Sequence, residues 1–284
     1  EGRAGMRVWY DGVIWSRQAL GGVNRYFARI IDGLPEDVLP VLTAERRRDV
    51  NFPSNPRLTV LDTPRSGPGC VERVDCDVFH PTYFETLCHG GSVLRSGAPV
   101  ALTVHDALHE LYPELADPGG EQRAWKKALI PHADHVICVS HNTKKDVMEI
   151  FGVPGERISV VHHASDLRAD MAGDAPDLRE RPYFLYVGHR YCYKNVPRLL
   201  GAFAALRSKW PDVELRFTGA PFGEAEKRLI LELGLQGAAR VEGCVPDGRL
   251  AALYRNAVAL VYPSLYEGFG IPLLEAMACE CPVA

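Results

Sequence analysis

Residues 258–278 read VALVYPSLYEGFGIPLLEAMA. An apolar run of strand character, 258–264, gives way to the turn Gly268-Phe269-Gly270, and Ile271-Pro272 open a helix rich in Leu, Ala and Met. Proline suits the first helical turn, where its missing N–H costs no intrahelical bond. Two acids flank the turn, Glu267 in the loop and Glu275 in what the spacing predicts to be the first turn of the helix. A carboxylate near a helix N-terminus is an ordinary stabilising choice, so Glu275 alone says little. Glu267, between a strand end and a glycine turn, is harder to explain by stability.

The same strand–turn–helix alternation runs through most of the chain. Strands are predicted at 6–10, 38–43, 57–61, 77–80, 99–104, 135–140 and 157–162, and again at 183–188, 213–219, 239–243 and 258–264. Val23, Tyr26, Phe27, Ile30 and Ile31 follow the apolar spacing of an amphipathic helix closed by Gly33. A second helix, with Ser140 or Asn142 near its start, ends at Gly152 and Pro154. Further helices are predicted from Val196, near 223–233 and near 247–256. Apolar strands separated by helices imply parallel sheets with crossover helices on both faces. The polar stretch SDLRADMAGDAPDLRERP (165–182) marks a boundary. The expected organisation is a first domain over 6–165, a linker over 166–182 and a second domain over 183–284.

At 284 residues, 46% hydrophobic and 24% charged, the chain has an ordinary globular composition and length enough for two domains. A net charge of -4 gives no basic surplus for nucleic acid. The opening EGRAGMRVWY lacks the apolar core of a secretory signal. The eight cysteines form no C-x-x-C pair, and Cys279 and Cys281 read as small buried residues. A reducing cytoplasm is the expected compartment, with the inner face of a membrane left open as a place of peripheral association.

Ligands of open parallel sheets lie outside the carboxyl ends of strands, and four stretches there carry chemistry. In LGGVNRYF (20–27) two glycines precede a helix, where free N–H groups and the dipole favour an anion. Taken alone, that is a weak signal. In TVHDALHELYPE (103–114), His105 and Asp106 follow a strand. His105 and His109 stand four apart, but no third zinc ligand is suggested and Pro113 shortens any helix. His105 as a hydrogen-bonding group and His105 as a structural residue are balanced readings. In LYVGHRYCYKNVPRLL (185–200), Arg190 and Lys194 lie between a strand end and a helix start, a favourable place for an anion. The fourth stretch is 262–278. Together they describe a nucleoside diphosphate site neutralised by cations and helix ends, with no metal and no other cofactor. The G-x-G-x-x-G, G-x-x-x-x-G-K-[ST] and G-x-S-x-G patterns are absent.

With Glu267 and Glu275 separated by seven residues, E-G-F-G-I-P-x-x-E resembles the E-x7-E signature of retaining glycosyltransferases of family 4, which have the GT-B fold. GGVNRYF, HPTYFE (80–85), TVHDALHELYPE, ADHVICVSHNTKKD (133–146), YVGHRYCYKN and 253–278 are similar to that family in its order, over essentially the whole chain. The resemblance implies an α/β fold of two Rossmann-like parallel-sheet domains facing a cleft. It implies retaining transfer of a hexose-type sugar from a GDP- or UDP-linked donor to a saccharide or lipid-linked saccharide, as in polysaccharide biosynthesis. By that likeness Glu275 binds the ribose hydroxyls. Arg190 and Lys194 hold the diphosphate with N–H groups of the Gly268, Phe269, Gly270 and Ile271 loop, and Gly22 lies beneath phosphate and sugar. Glu267 and His105, the catalytic candidates, contact the transferred sugar. Three departures stand out. The chain has His162-His163-Ala164 where the family shows His-Gly, and Glu280 where it commonly has Gly. The family also continues beyond Pro282-Val283-Ala284, so an incomplete second domain is expected. A non-catalytic nucleotide-sugar-binding scaffold and a phosphorylase of related fold stay open as alternatives.

Overall fold

A computed structural model describes residues 5–17, 21–44, 51–61, 74–85, 97–173 and 181–284. Leu20, Cys70, Cys88 and residues 174–180 of the expected linker lie outside the described residues. The chain divides into two units, one containing Asp117–Val161 and the described residues up to Pro113, the other Glu114–Ala116 and His162–Ala284.

In the first unit the chain runs β1 (Met6–Tyr10), α1 (Val13–Arg17), α2 (Gly22–Asp32), β2 (Val38–Thr43), β3 (Thr59–Leu61), β4 (Val78–Phe79) and β5 (Ala101–Val104). It continues through α3 (Leu108–Leu111), the short α4 (Pro113–Ala116), whose last three residues belong to the second unit, α5 (Glu121–Leu129), β6 (His135–Cys138), α6 (His141–Phe151) and β7 (Ile158–Val160). The strands are parallel in the orders β3-β2-β1-β4 and β5-β6-β7, and a parallel bridge from Phe79 to Val100 joins the two sets. Successive β1 side chains point to opposite faces. Val8 and Tyr10 enter a core with Phe27 and Ile31, while Trp9 enters another with Phe79, Leu102 and Val136. A parallel sheet covered on both faces requires this near-continuous apolar run. Helix α6 starts where expected. The Ser140 hydroxyl accepts from the Thr143 N–H at 3.0 Å, a cap worth about 1 kcal/mol.

The second unit contains β8 (Tyr183–Tyr186), α7 (Val196–Arg207), β9 (Glu214–Thr218), α8 (Glu224–Glu232) and β10 (Ala239–Gly243). After these come α9 (Asp247–Asn256), β11 (Ala259–Leu260) and α10 (Ile271–Ala278). The parallel order is β10-β9-β8-β11. Leu215 and Phe217 face one core, but their strand neighbours Glu214 and Arg216 are also buried. The Arg216 guanidinium lies 3.9 Å from the Tyr183 ring centre and pairs with Glu214 at 2.9 Å, so this face is satisfied by charge as well as by packing. The segment 166–173, expected as linker, packs within the second unit. Leu167 and Ala172 share a core with Tyr183 and Leu185. Strand β11 is shorter than the expected 258–264, although the Val261 and Tyr262 N–H groups still donate to the Leu185 and Ala284 carbonyls at 2.8 and 3.1 Å before Pro263, which has no N–H. Cys279 and Cys281 are buried. Glu280 has φ 59°, a left-handed conformation that glycine adopts at lower cost, which accounts for the family's preference at that turn.

Candidate functional site

In the second unit the chain builds β8, β9 and β10 outward in one direction, then crosses to place β11 on the other side of β8. The loops leaving β8 and β11 therefore diverge, and between such loops an open parallel sheet presents its ligand crevice. They are the loops that carry Lys194 and Glu267. Side chains and backbone tie them together. The Lys194 ammonium pairs with the Glu267 carboxylate, Asn195 Nδ2 donates to the Pro263 carbonyl at 3.2 Å, and the Leu265 N–H donates to the Tyr193 carbonyl at 2.9 Å. The ammonium lies 5.1 and 5.3 Å from the ring centres of Tyr193 and Tyr262. Burial, the Glu267 charge and a hydrogen bond to Glu267 push the Tyr262 phenol far above its usual range. The side chains of Lys194 and Glu267 keep 13% and 23% exposure, so the pair still meets solvent.

Gly270 caps α10 with φ 97°. At this end Pro272 has no N–H and the Leu273 N–H donates to the Gly270 carbonyl at 3.0 Å, so what α10 offers a ligand is chiefly the positive end of its dipole. A Cβ on Gly270 would approach Leu273 Cδ1 to 3.0 Å and require that side chain to shift, while the positive φ itself favours glycine. Glu275 is the fifth residue of α10 and lies in its second turn, where the sequence spacing suggested the first. Its Oε2 accepts from the Tyr254 hydroxyl at 2.9 Å, which orients a largely buried carboxylate. Phe269 meets the rings of His162 and His163 at centroid distances of 5.8 and 5.1 Å. Arg190 turns away from this crevice. Its Nε donates to Glu226 Oε1 at 2.6 Å, and its Nη2 donates to the Ala220 and Pro221 carbonyls at 2.7 and 2.8 Å.

In the first unit the corresponding change of direction lies between β1 and β4. Asp11, just beyond β1, accepts from the N–H and hydroxyl of Thr82 at 2.9 and 2.5 Å. Gly22 opens α2, and a Cβ added there meets nothing within 4 Å, so the chain's own packing does not require its small size. His105 follows β5, its ring edge-on to Tyr26 at 4.9 Å. It precedes α3, so His105 and His109 do not share a helix face as a zinc pair would. The Tyr26 hydroxyl is 3.1 Å from Thr103 Oγ1, which is 2.9 Å from His80 Nε2.

Burial holds His80 neutral, its imidazole pushed down to about 4. The unfolded chain takes up this proton near pH 6.5 and the folded chain only near 4, so stability falls as pH drops through that window. The loss reaches about 3 kcal/mol. Urea unfolding across the window is expected to show this slope, reduced in His80→Gln. His163, also pushed down to about 4 by burial, and His109, lowered by burial and by Lys126, supply the slope that remains. An unchanged slope in His80→Gln would assign the proton elsewhere.

Sequence reasoning missed Lys126. It sits on the buried face of α5 with Leu129. Its ammonium donates to the Asp106 carbonyl at 3.0 Å and to Glu110 Oε2 at 3.1 Å, fixing the turn that follows His105. Burial raises the Glu110 carboxyl above its usual range. Burial pushes Asp106 the same way, but Lys126, His109 and the Leu108 N–H together hold it below. A lysine at an apolar helix position was the available signal. Tyr254 and Tyr262 carried none, because their partners come from other elements. Among the described residues, no three His, Cys, Asp or Glu side chains gather as metal ligands would.

The family model described as Glycosyltransferase Family 4 matches residues 20–169, and the one described as Glycosyl transferases group 1 matches 174–284. O-antigen chain mannosyltransferase RfbU of Salmonella typhimurium is 30% identical over 186 residues, 64% of this chain and 50% of that protein. D-inositol 3-phosphate glycosyltransferase 1 of Catenulispora acidiphila is 30% identical over 233 residues, 74% of this chain and 55% of its own. The chain thus spans about half the length of the curated relatives it matches. Sucrose-phosphate synthase from Thermosynechococcus elongatus superposes with a TM-score of 0.70 at 19% identity, covering 98% of this chain and 80% of the other. WaaG, a glycosyltransferase involved in lipopolysaccharide biosynthesis, superposes at 0.66 with 14% identity and the same coverages. At such identities these two likenesses establish a shared GT-B fold. The sequence models reach further, since the first matches more than half of the chain and the second most of the rest, and on them the chain belongs to glycosyltransferase family 4.

Proposed function

We propose that the chain carries the donor site and transfer chemistry of a retaining, metal-independent hexosyltransferase. It moves a sugar from a nucleoside diphosphate to a hydroxyl of a saccharide or lipid-linked saccharide. The observation that carries this reading is the Lys194–Glu267 bridge across the diverging loops, beside the glycine-capped start of α10. Departure of a nucleoside diphosphate builds negative charge on the leaving oxygen. A fixed ammonium and the positive end of a helix stabilise that charge most in the transition state. Glu275, oriented by Tyr254, is placed in this reading against the ribose hydroxyls, and Glu267 against those of the transferred sugar. His105 and Gly22 are the first unit's candidates for contact with sugar and phosphate. Mannosyltransferase names among the relatives favour a mannosyl donor.

Thermal unfolding with GDP, UDP, ADP and dTDP, each in EDTA and again with magnesium, tests the donor site. One nucleotide is expected to raise the midpoint in EDTA with no further gain from magnesium. At 100 times its dissociation constant the added stability is about 2.7 kcal/mol. A shift that needs magnesium would overturn the metal-free reading, and no shift with any of the four would remove the donor site from this chain.

A further inference from the structure

Arg190 and Lys194 leave the same loop in opposite directions. In the order β10-β9-β8-β11, Lys194 reaches towards the loop after β11, whereas Arg190 reaches towards the loop after β9. There its guanidinium is used as a fork. Nε and Nη2 meet the two Glu226 oxygens at 2.6 and 3.4 Å, and Nη2 also serves the carbonyls of Ala220 and Pro221. The Phe222 and Phe217 ring centres lie 5.2 and 5.9 Å from its central carbon, and the side chain is 8% exposed. Glu226 is itself fixed, because its Oε2 accepts from the Gly223 N–H at 2.8 Å and so caps α8. The Tyr186 hydroxyl, donating to the His189 carbonyl at 2.6 Å, holds the base of the Arg190 loop. A phosphate taking the Nε–Nη2 edge of the guanidinium would have to displace a charged partner and two carbonyls, each with a desolvation cost.

We infer that Arg190 is a positioning residue. It orders residues 219–226, and through them the nucleoside end of the donor site, while the diphosphate falls to Lys194 and the start of α10. This rests on the proposed donor reading. On the same reading the ribose of the donor nucleotide stays at Glu275, and its base is the part that meets the loops after β9 and β10. The loops there are tied by the Gly219 N–H donating to the Gly243 carbonyl at 2.9 Å. Lysine cannot replace arginine in this role, since an ammonium lacks the planar fork that bridges a carboxylate and two carbonyls.

Calorimetric binding of each nucleoside diphosphate and its free nucleoside to the wild type, Arg190→Met, Arg190→Lys and Lys194→Met separates the roles. Arg190→Met and Arg190→Lys are expected to weaken diphosphate and nucleoside by the same factor, about tenfold for one charged hydrogen-bond set. Lys194→Met is expected to weaken the diphosphate alone. If Arg190→Met spares the nucleoside and weakens only the diphosphate, Arg190 is a phosphate ligand and the inference is wrong. It is equally wrong if Arg190→Met changes neither. Amide hydrogen exchange over 219–226 in the nucleotide-free protein provides an arm that needs no ligand. Exchange is expected to quicken in Arg190→Met and Glu226→Gln, and no further in the double variant, because the two act as a unit. Unchanged exchange overturns the ordering role. Should the wild type bind no nucleotide, the donor reading falls while this arm still decides what Arg190 does.

Discussion

Sugar transfer by a Lys194→Met variant is expected to fall roughly 10²–10³-fold in kcat, the loss typical of removing one preorganised group aimed at developing negative charge. The methionine keeps much of the stem that lies against Tyr193 and Tyr262 and removes the cation. On the proposed mechanism the leaving diphosphate then gathers charge with only the positive end of α10 to meet it. Because the ammonium acts most on charge that grows during departure, kcat should fall more than KM rises. Glu267 loses its partner in the same variant, but at 23% exposure its carboxylate can be rehydrated, so the folded state should survive. Initial rates over a range of donor concentrations, with unfolding measured alongside, separate the two effects. A kcat within about threefold of the wild type would remove Lys194 from the transition state.

The largest loss of stability is expected in the first unit. Lys126→Met removes a cation that is 2% exposed and leaves Glu110, 8% exposed, with an uncompensated buried carboxylate beside Asp106. Breaking a buried pair in this way costs about 3–5 kcal/mol, much more than the intact pair contributes over an apolar replacement. The loss has a sign in pH. Without the ammonium both carboxyl groups favour protonation in the folded state, so that state takes up protons the wild type does not. The deficit should therefore be greatest above the carboxylate range and narrow as pH falls through it. Urea unfolding of wild type and variant at several pH values measures both the size and the narrowing. A deficit independent of pH would point to lost packing against Phe84, whose ring centre lies 5.5 Å from the ammonium.

Both predictions depend on partners that periodicity does not reveal. Features set by neighbours in sequence were legible. The strands at 6–10, 38–43 and 239–243 match their expected bounds, Ser140 caps its helix, and Gly152 ends it in a left-handed conformation. Backbone geometry at such points is dictated within a few residues. Side-chain allegiance is not. Arg190 and Glu226 are 36 positions apart, and nothing near Arg190 shows that its guanidinium turns towards β9 rather than β11. Glu275 was legible as a residue of interest, whereas the Tyr254 hydroxyl that aims it comes from the preceding helix, 21 positions away. The polar composition of 166–173 suggested a tether, but its few apolar residues, Leu167 and Ala172, are the ones that enter the core. Composition averages over a segment, while burial selects single side chains.

The contact between Phe269 and the two histidines gives this molecule a native spectroscopic label. His163 stands edge-on to Phe269 at a centroid distance of 5.1 Å, and its ring stays neutral over the pH range in which proteins are usually studied. Its carbon-bound protons therefore sit in the magnetic shadow of an aromatic ring carried between Glu267 and Gly270. Ten histidines give a sparse, assignable set of imidazole signals in a proton–carbon spectrum. Any occupant that shifts the glycine loop by a fraction of an ångström would alter the ring-current displacement of His163 and His162, and so announce itself without an added probe.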